Sequence, residues 1–298
     1  MTTTISRRHH YIPQFYLKGF TNDQKKFAVY DIKKDNLKKG LFSPKTHFFE
    51  FDRNVLEIRG KKTDFLEVLY SKLDTKVGPL FNKIQSTSEH IDLDAEEMFI
   101  LQLFVSALFW RIPRSDRLIE NYFRKIKLGE LGFEIIEEFT GESASEDAYR
   151  EILNDPNFRQ SYRPAIPLIS FMNQKNPDDL LNWKNYYHEG EGFHICGDNP
   201  VILKNEKMYD TYKDEFIFPL TKNKLLVYTK NKRPNKIDPE FLTNLNLVIL
   251  LQSKFYVCSP REDYLRVLSC LKKMWRNHYS NDQYCIEKLK NELFKIFD

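Results

Sequence analysis

The sequence predicts an α+β fold, with a helical middle packed on a mostly antiparallel sheet and a C-terminal helical pair. Apolar residues recur at helical spacing from Phe65 to Ile126, and short apolar runs separated by turn residues replace them from Phe193 to Cys258. Composition agrees. Of 298 residues, 41% are apolar and 30% charged, the balance of a folded soluble protein, so disorder and collagen are excluded. With 24 Phe and 16 Tyr against 10 Gly, the core is expected to be built from large aromatic pieces.

The run Tyr11-Ile12-Pro13-Gln14-Phe15-Tyr16-Leu17, ending at Gly19, reads as a short helix or turn pinned to the core. Lys26 to Ile32 and Thr46 to Phe51 are strand candidates, with a turn at Asp35-Asn36 between them. Asp64 with Glu67 has capping-box spacing and opens a helix carrying Leu66, Leu69, Leu73, Val77, Leu80 and Ile84 on one face. Asp94 with Glu97 opens a second, so apolar all round that it is expected at the centre of the core; it ends near Pro113. Ser115 is expected to cap a third helix, and the acidic stretch 129–157 to be a mobile connection.

A helix is predicted from Ile166 to Asn173. Strands follow at Phe193 to Cys196, Val201 to Leu203, Glu215 to Phe218, Leu225 to Thr229 and Phe255 to Cys258. Ser259-Pro260-Arg261-Glu262 combines an N-cap, a proline at the first helical position and a reciprocal glutamate, and Ser280 to Gln283 repeats this start for the last helix. No repeat or low-complexity linker divides the chain. Residues 1–298 are therefore expected to share one core, with an amino-terminal anchor and short strands at 1–60, helices at 61–185, a sheet-rich part at 186–258 and C-terminal helices at 259–298.

The 46 Lys and Arg against 42 Asp and Glu give a net charge of +4, too small to mark a nucleic-acid binder by itself. The first ten residues lack the apolar core of a signal peptide, and no apolar run reaches bilayer length, so a cytoplasmic protein without membrane association is expected. Cys196, Cys258, Cys270 and Cys285 form no CxxC pair and are expected as free thiols. The P-loop, GxGxxG and GxSxG signatures are missing, which disfavours nucleotide-driven motors, dehydrogenases and α/β-hydrolases.

Three clusters could carry chemistry. Arg7-Arg8-His9-His10 with Gln14 puts two imidazoles beside an apolar anchor; neighbouring residues of an extended segment point to opposite sides, so at most one imidazole faces a given site. Its plainer role is a solvated basic tail whose histidines bond backbone. Arg111, where the most apolar helix ends, can bond that helix's carbonyls or hold an oxyanion with its rigid fork of donors. Arg114 and Arg117 are expected to be surface partners of acidic residues. Gly197-Asp198-Asn199-Pro200 reads most cheaply as a side-chain-supported turn, and Asp198 can also present a base or a hard-metal ligand. Glu67, Glu96 and Glu97 read as capping residues, and His47, His90, His188, His194 and His278 lack metal-ligand spacing.

These segments, His9-His10-Tyr11-Ile12-Pro13-Gln14, Arg111-Ile112-Pro113-Arg114, Gly197-Asp198-Asn199-Pro200 and Phe218-Pro219-Leu220, resemble over nearly the whole chain a domain-of-unknown-function family. Its members open with HHYVPQFYL and later carry RTP and SDNP. Ile112 stands here where threonine is usual, and Gly197 where serine is usual. The resemblance implies no established activity, but it groups these positions.

The expectation is one polar site made by His9 or His10, Gln14, Arg111, Asp198 and Asn199. It would suit phosphodiester hydrolysis: His10 and Asp198 activate water or hold a divalent Mg or Mn ion, and Arg111 stabilises charge on phosphate. Nucleic acid or a nucleotide is the expected partner and bacterial defence the expected setting. The alternative is a non-enzymatic protein-interaction or ligand-sensing module in which the HHYxPQ segment is a structural lock. Geometry separates the two, because catalysis needs these groups to converge on a cavity and a lock has them bonded to backbone.

Overall fold

The computed structural model describes residues 7–58, 60–87, 91–127, 130–131, 134–137, 140–173, 183–187, 193–205, 210–230, 237–279 and 281–297. The chain opens with β1 (Arg8–His10), the short helix α1 (Gln14–Leu17), β2 (Ala28–Asp31), β3 (Asn36–Leu37), β4 (Phe49–Phe51), β5 (Leu56–Ile58) and β6 (Lys61–Thr63). The helical part contains α2 (Phe65–Ser86), α3 (Ala95–Arg111), α4 (Ser115–Lys125), α5 (Glu146–Asn154), α6 (Pro156–Tyr162) and α7 (Ile166–Met172). Then come β7 (Trp183–Tyr187), β8 (Cys196–Gly197), β9 (Ile202–Leu203), β10 (Phe216–Thr221), β11 (Lys224–Tyr228), α8 (Pro239–Gln252), β12 (Tyr256–Ser259) and the C-terminal pair α9 (Glu262–Tyr279) and α10 (Asp282–Lys295). The fold is α+β.

Every strand pairing among the described residues is antiparallel, but the strands are shared among several small sheets. One has the order β7-β11-β10-β9 and another β3-β2-β12-β8; β1 pairs with β4, and β5 with β6. The second sheet joins the two ends of the sequence, since Ala28 lies opposite Ser259 and Asp31 opposite Tyr256.

Large aromatic side chains weld the helices to the first sheet, as composition predicts. Tyr16 of α1 stacks on Phe218 of β10 at 5.2 Å, Phe81 meets Phe104 at 5.0 Å between α2 and α3, and all four are buried. Each such burial stabilises the fold by about 1.5–3 kcal/mol. The Tyr16 hydroxyl donates to the Pro219 carbonyl at 2.6 Å, which removes the cost of burying it unbonded. Helix α3 is buried over nearly all of its second half, where its sequence has no polar face. Asp94 and Glu97 form the capping box that their spacing predicts.

Other local expectations are corrected. Asp64 makes no side-chain cap at the start of α2, since its backbone (φ −98°, ψ 22°) lacks the extended geometry of a capping residue, and the Glu67 carboxylate accepts instead from Asn54 Nδ2 at 2.8 Å. Ser115 is the first residue of α4 and not its cap; its hydroxyl donates back to the Phe109 carbonyl. The stretch 129–157 holds α5, capped by Ser145. Asn281 caps α10 by accepting from Gln283, while Ser280 lies outside the described residues. Helix α8 interrupts the sheet-rich part of the chain. Asp238 caps it and Pro239 occupies its first turn, after which Leu245, Leu247, Val248, Ile249 and Leu250 bury it against β8, α9 and α10, in one apolar cluster with Ile217, Leu225 and Val227.

Candidate functional site

The two histidines part as their extended backbone requires. His9 is fully buried, and its Nδ1 accepts from the Asn54 amide at 2.8 Å. His10 is half-buried with its ring 5.5 Å from Phe49, and its Nε2 is buried without a hydrogen-bond partner. Burial lowers the His10 pKa, and the Arg111 charge lowers it further against the opposing pull of Glu67. Its ring is therefore neutral near pH 7. Gln14 stands exposed at the start of α1.

Arg111, at the last residue of α3, turns to α2. Its Nη1 lies 3.0 Å from both oxygens of Asp74, and its guanidinium stacks 4.5 Å above the Tyr70 ring. The carbonyl of Arg111 is taken by another guanidinium, Arg53, through Nε at 3.3 Å and Nη2 at 3.1 Å. Arg53 also bonds Glu50 at 2.6 Å and Asp116 at 2.7 Å, and Arg163 reaches the same Asp116 oxygen at 2.9 Å. Three buried guanidiniums thus meet Glu50, Asp74 and Asp116. The cluster holds no excess positive charge and ties α2, α3, α4 and the segment after α6 to the turn after β4. Two atoms in it, Arg111 Nε and Arg163 Nε, are buried without a hydrogen-bond partner.

Asp198 does not join that cluster. Its Oδ1 accepts from the Lys254 amide at 2.8 Å, and its Oδ2 from Tyr256 at 3.0 Å and from Phe255. At 2% exposure the carboxyl organises the bend between α8 and β12. Burial pushes its pKa up to about 6, against the three amides, which favour the ionised form. Gly197 beside it is held between elements: a Cβ there would meet Ser253 Oγ and lie 2.9 Å from Ile249 Cγ2. The serine expected from the resemblance has no room in this packing.

Asn199 faces a different place. Its Oδ1 is buried with no hydrogen-bond partner and its residue is 3% exposed. It lines a hollow of about 170 Å³ together with Arg114 and Gln252, and Phe109, Leu118, Val201 and Leu203 complete the wall. Gln252 is fixed there by its Nε2, which donates to the carbonyls of Asn199 at 2.5 Å and Val201 at 3.3 Å. Arg114 at the end of one signature segment and Asn199 in another therefore meet at one cavity.

A family model described as a protein of unknown function, DUF4238, matches residues 8–263. The chain belongs to the DUF4238 family. No curated protein and no solved structure matches it. The DUF4238 match spans all of the segments just placed, from β1 to the start of α9.

Within this DUF4238 fold, His10 and Arg111 are neighbours, whereas Asp198 bonds the bend before β12 and Asn199 lines the hollow. Sequence reasoning missed Arg53, Arg163 and Gln252, none of which sits in a recognisable motif; Arg114, expected at the surface, is half-buried in the hollow wall. Among the described residues no three His, Cys, Asp or Glu side chains are grouped to hold a metal ion. His47 lies 3.0 Å from Lys38 Nζ, and burial beside that charge takes its pKa down to about 4. His194 is fully buried and His278 exposed, while His90 and His188 lie outside the described residues. The four cysteines are free. No helix among the described residues is long and apolar enough to cross a membrane.

Proposed function

We propose that this chain is a ligand-binding module, in which the amino-terminal HHYxPQ segment fixes the fold and a small molecule occupies the hollow between Arg114 and Asn199. One observation carries the reading. Asn199 lines the hollow with a guanidinium and an amide while its own Oδ1 is buried and unbonded, and a buried polar atom left unbonded costs roughly 1–3 kcal/mol. His9 and Asp198, by contrast, are committed to backbone amides, as a structural role requires. The test is a thermal-shift screen of wild type and Leu118→Trp, which fills the hollow from a half-buried position. A ligand that raises Tm of wild type and not of the variant supports the reading; a ligand that stabilises both equally removes it.

Phosphodiester hydrolysis remains the second reading, favoured by His10, a neutral imidazole with a free Nε2 beside Arg111. His10 would take a proton from water, and Arg111 and Arg163 would face the phosphate. Nucleic acid or a nucleotide, an Mg or Mn ion, a cytoplasmic location and a bacterial defence setting belong to this reading; a protein partner belongs to the first. Incubating RNA, DNA and cyclic nucleotides with wild type and His10→Ala, with and without each metal, tests it. Cleavage lost in His10→Ala supports hydrolysis, and intact substrates throughout reject it.

A further inference from the structure

The ribbon of β1 and β4 pairs with no third strand among the described residues, and its two faces differ in character. His9 and Glu50 lie opposite each other on the inner face, where His9 is fully buried and Glu50 bonds Arg53. Arg8 opposite Phe51 and His10 opposite Phe49 make the outer face. There the Phe51 ring is 59% exposed, and Phe49 braces it edge-to-face at 5.5 Å. Two guanidiniums flank these rings: Arg8 stands 5.2 Å from the Phe49 centroid and 5.9 Å from that of Phe51, and Arg7 stands 5.9 Å from Phe51. Arg8 is exposed and makes no ion pair among the described residues. Arg7 bonds Asp52 at 3.1 Å, but with side chains 72% and 47% exposed this is a surface pair that water and salt readily replace. The charge of Lys62, in β6, also reaches Asp52. The outer face therefore joins a solvent-facing aromatic ring to an excess of positive charge.

A nucleobase offers such a ring a π-face to stack on, and its flanking phosphates suit the guanidiniums. In a duplex the base faces are hidden within the stack, so an unpaired strand is the form that can use both. Lipid fits less well, because the two guanidiniums lie against the Phe51 ring and would have to lose water for that ring to enter an apolar phase. We propose that the outer face of the β1–β4 ribbon binds single-stranded nucleic acid, with a base stacked on Phe51 and the neighbouring phosphates held by Arg7 and Arg8. Binding stands by itself; the fate of the bound strand rests on the hydrolysis reading above, to which this face supplies a substrate class. The site is short, so affinity depends steeply on few contacts and on salt. Two phosphates neutralised on a single strand give a slope of about −1.4 for the logarithm of the binding constant against the logarithm of salt concentration.

Fluorescence anisotropy of a labelled oligothymidylate, in EDTA and over a range of salt, tests the proposal. The expected result is saturable binding at low salt with that slope. Phe51→Ala should weaken binding about 5-fold or more and Phe51→Trp should keep it, while Arg8→Gln should reduce the slope by about 0.7. These substitutions replace exposed side chains, and circular dichroism checks that each variant folds. Wild-type affinity in Phe51→Ala overturns the stacking platform, equal affinity for the matching duplex overturns the preference for single strands, and no binding at low salt overturns the site. Polyphosphate that competes as well per charge as the oligonucleotide leaves only a polyanion surface and overturns the proposal. So does binding to phosphatidylserine vesicles that Phe51→Ala abolishes while the oligonucleotide fails to bind, which assigns the face to a membrane surface. The assay reads no cleavage, so intact substrates in the His10→Ala experiment reject hydrolysis and leave a positive result here standing, and a failure here leaves hydrolysis to be judged by that experiment.

Discussion

Asp198 offers the sharpest test of how this fold uses its signature residues. Replacing it with alanine strands the amides of residues 254, 255 and 256, which its two oxygens now accept. Hydrogen bonds to a charged group contribute about 1.5–3 kcal/mol each, and the bend is half-exposed, so that water can reach part of it; a loss of about 3–5 kcal/mol is expected. Asparagine keeps one carbonyl oxygen and should cost about 2 kcal/mol. The pH dependence adds a sign. The folded carboxyl is pushed up to about 6 from an ordinary 3.8, so between those values the folded state holds a proton that the unfolded chain has released. Wild-type stability should therefore fall by about 2 kcal/mol as pH rises from 4 to 6 and level off near pH 7, while Asp198→Asn lacks this component. Its deficit relative to wild type shrinks across that window. Urea denaturation of both proteins from pH 4 to 7 measures it. A deficit that grows with pH would falsify the assignment, since the three amides would then outweigh burial and hold the carboxyl below its usual range.

Three further outcomes are expected. Gly197→Ser should cost about 1–3 kcal/mol through overpacking against Ile249 and Ser253, and adding Ser253→Ala should recover part of it in a double-mutant cycle; simple additivity would mean the two do not touch. Tyr16→Phe, which deletes the hydroxyl bonded to the Pro219 carbonyl, should cost about 1–2 kcal/mol by chemical denaturation, and an unchanged midpoint would show that bond to be of no consequence. A thiol reagent should label Cys270 alone in the native protein and all four cysteines after denaturation, because Cys196, Cys258 and Cys285 are buried and burial raises the Cys196 and Cys285 pKa values. Rapid native labelling of Cys196 would contradict the packing of β8 on β12.

The α+β class was legible because period is a local property. The apolar spacing from Phe65 to Ile126 needs no partner to be read, and the Asp94–Glu97 box is complete within four residues. Helix α8 was legible in principle from Asp238 and Pro239, but its apolar positions run all round and carry no period, so the strands on either side absorbed it. The site was harder. The Asp198 turn is visible in sequence, whereas the amides it holds lie at residues 254–256, a pairing that only tertiary structure creates. Arg53, Arg163 and Gln252 are ordinary residues until the fold brings Asp116, Asn199 and Val201 to them.

The order of synthesis meets an obstacle in the sheet containing β2. That strand lies between β3 and β12, and its register to β12 joins residues 28–31 to residues 256–259. While the ribosome is still making α8, Val29 and Tyr30 lack the neighbour that closes over them, and Tyr16 gains the Pro219 carbonyl only when β10 emerges. The aromatic-rich segment from Tyr11 to Tyr30 must wait until residues 219 and 256–259 are made, and contacts of such long loop closure form slowly. Truncated nascent chains ending before residue 256 should accordingly depend on holding chaperones, and cooperative folding of this sheet should start only once residues 256–259 have been made.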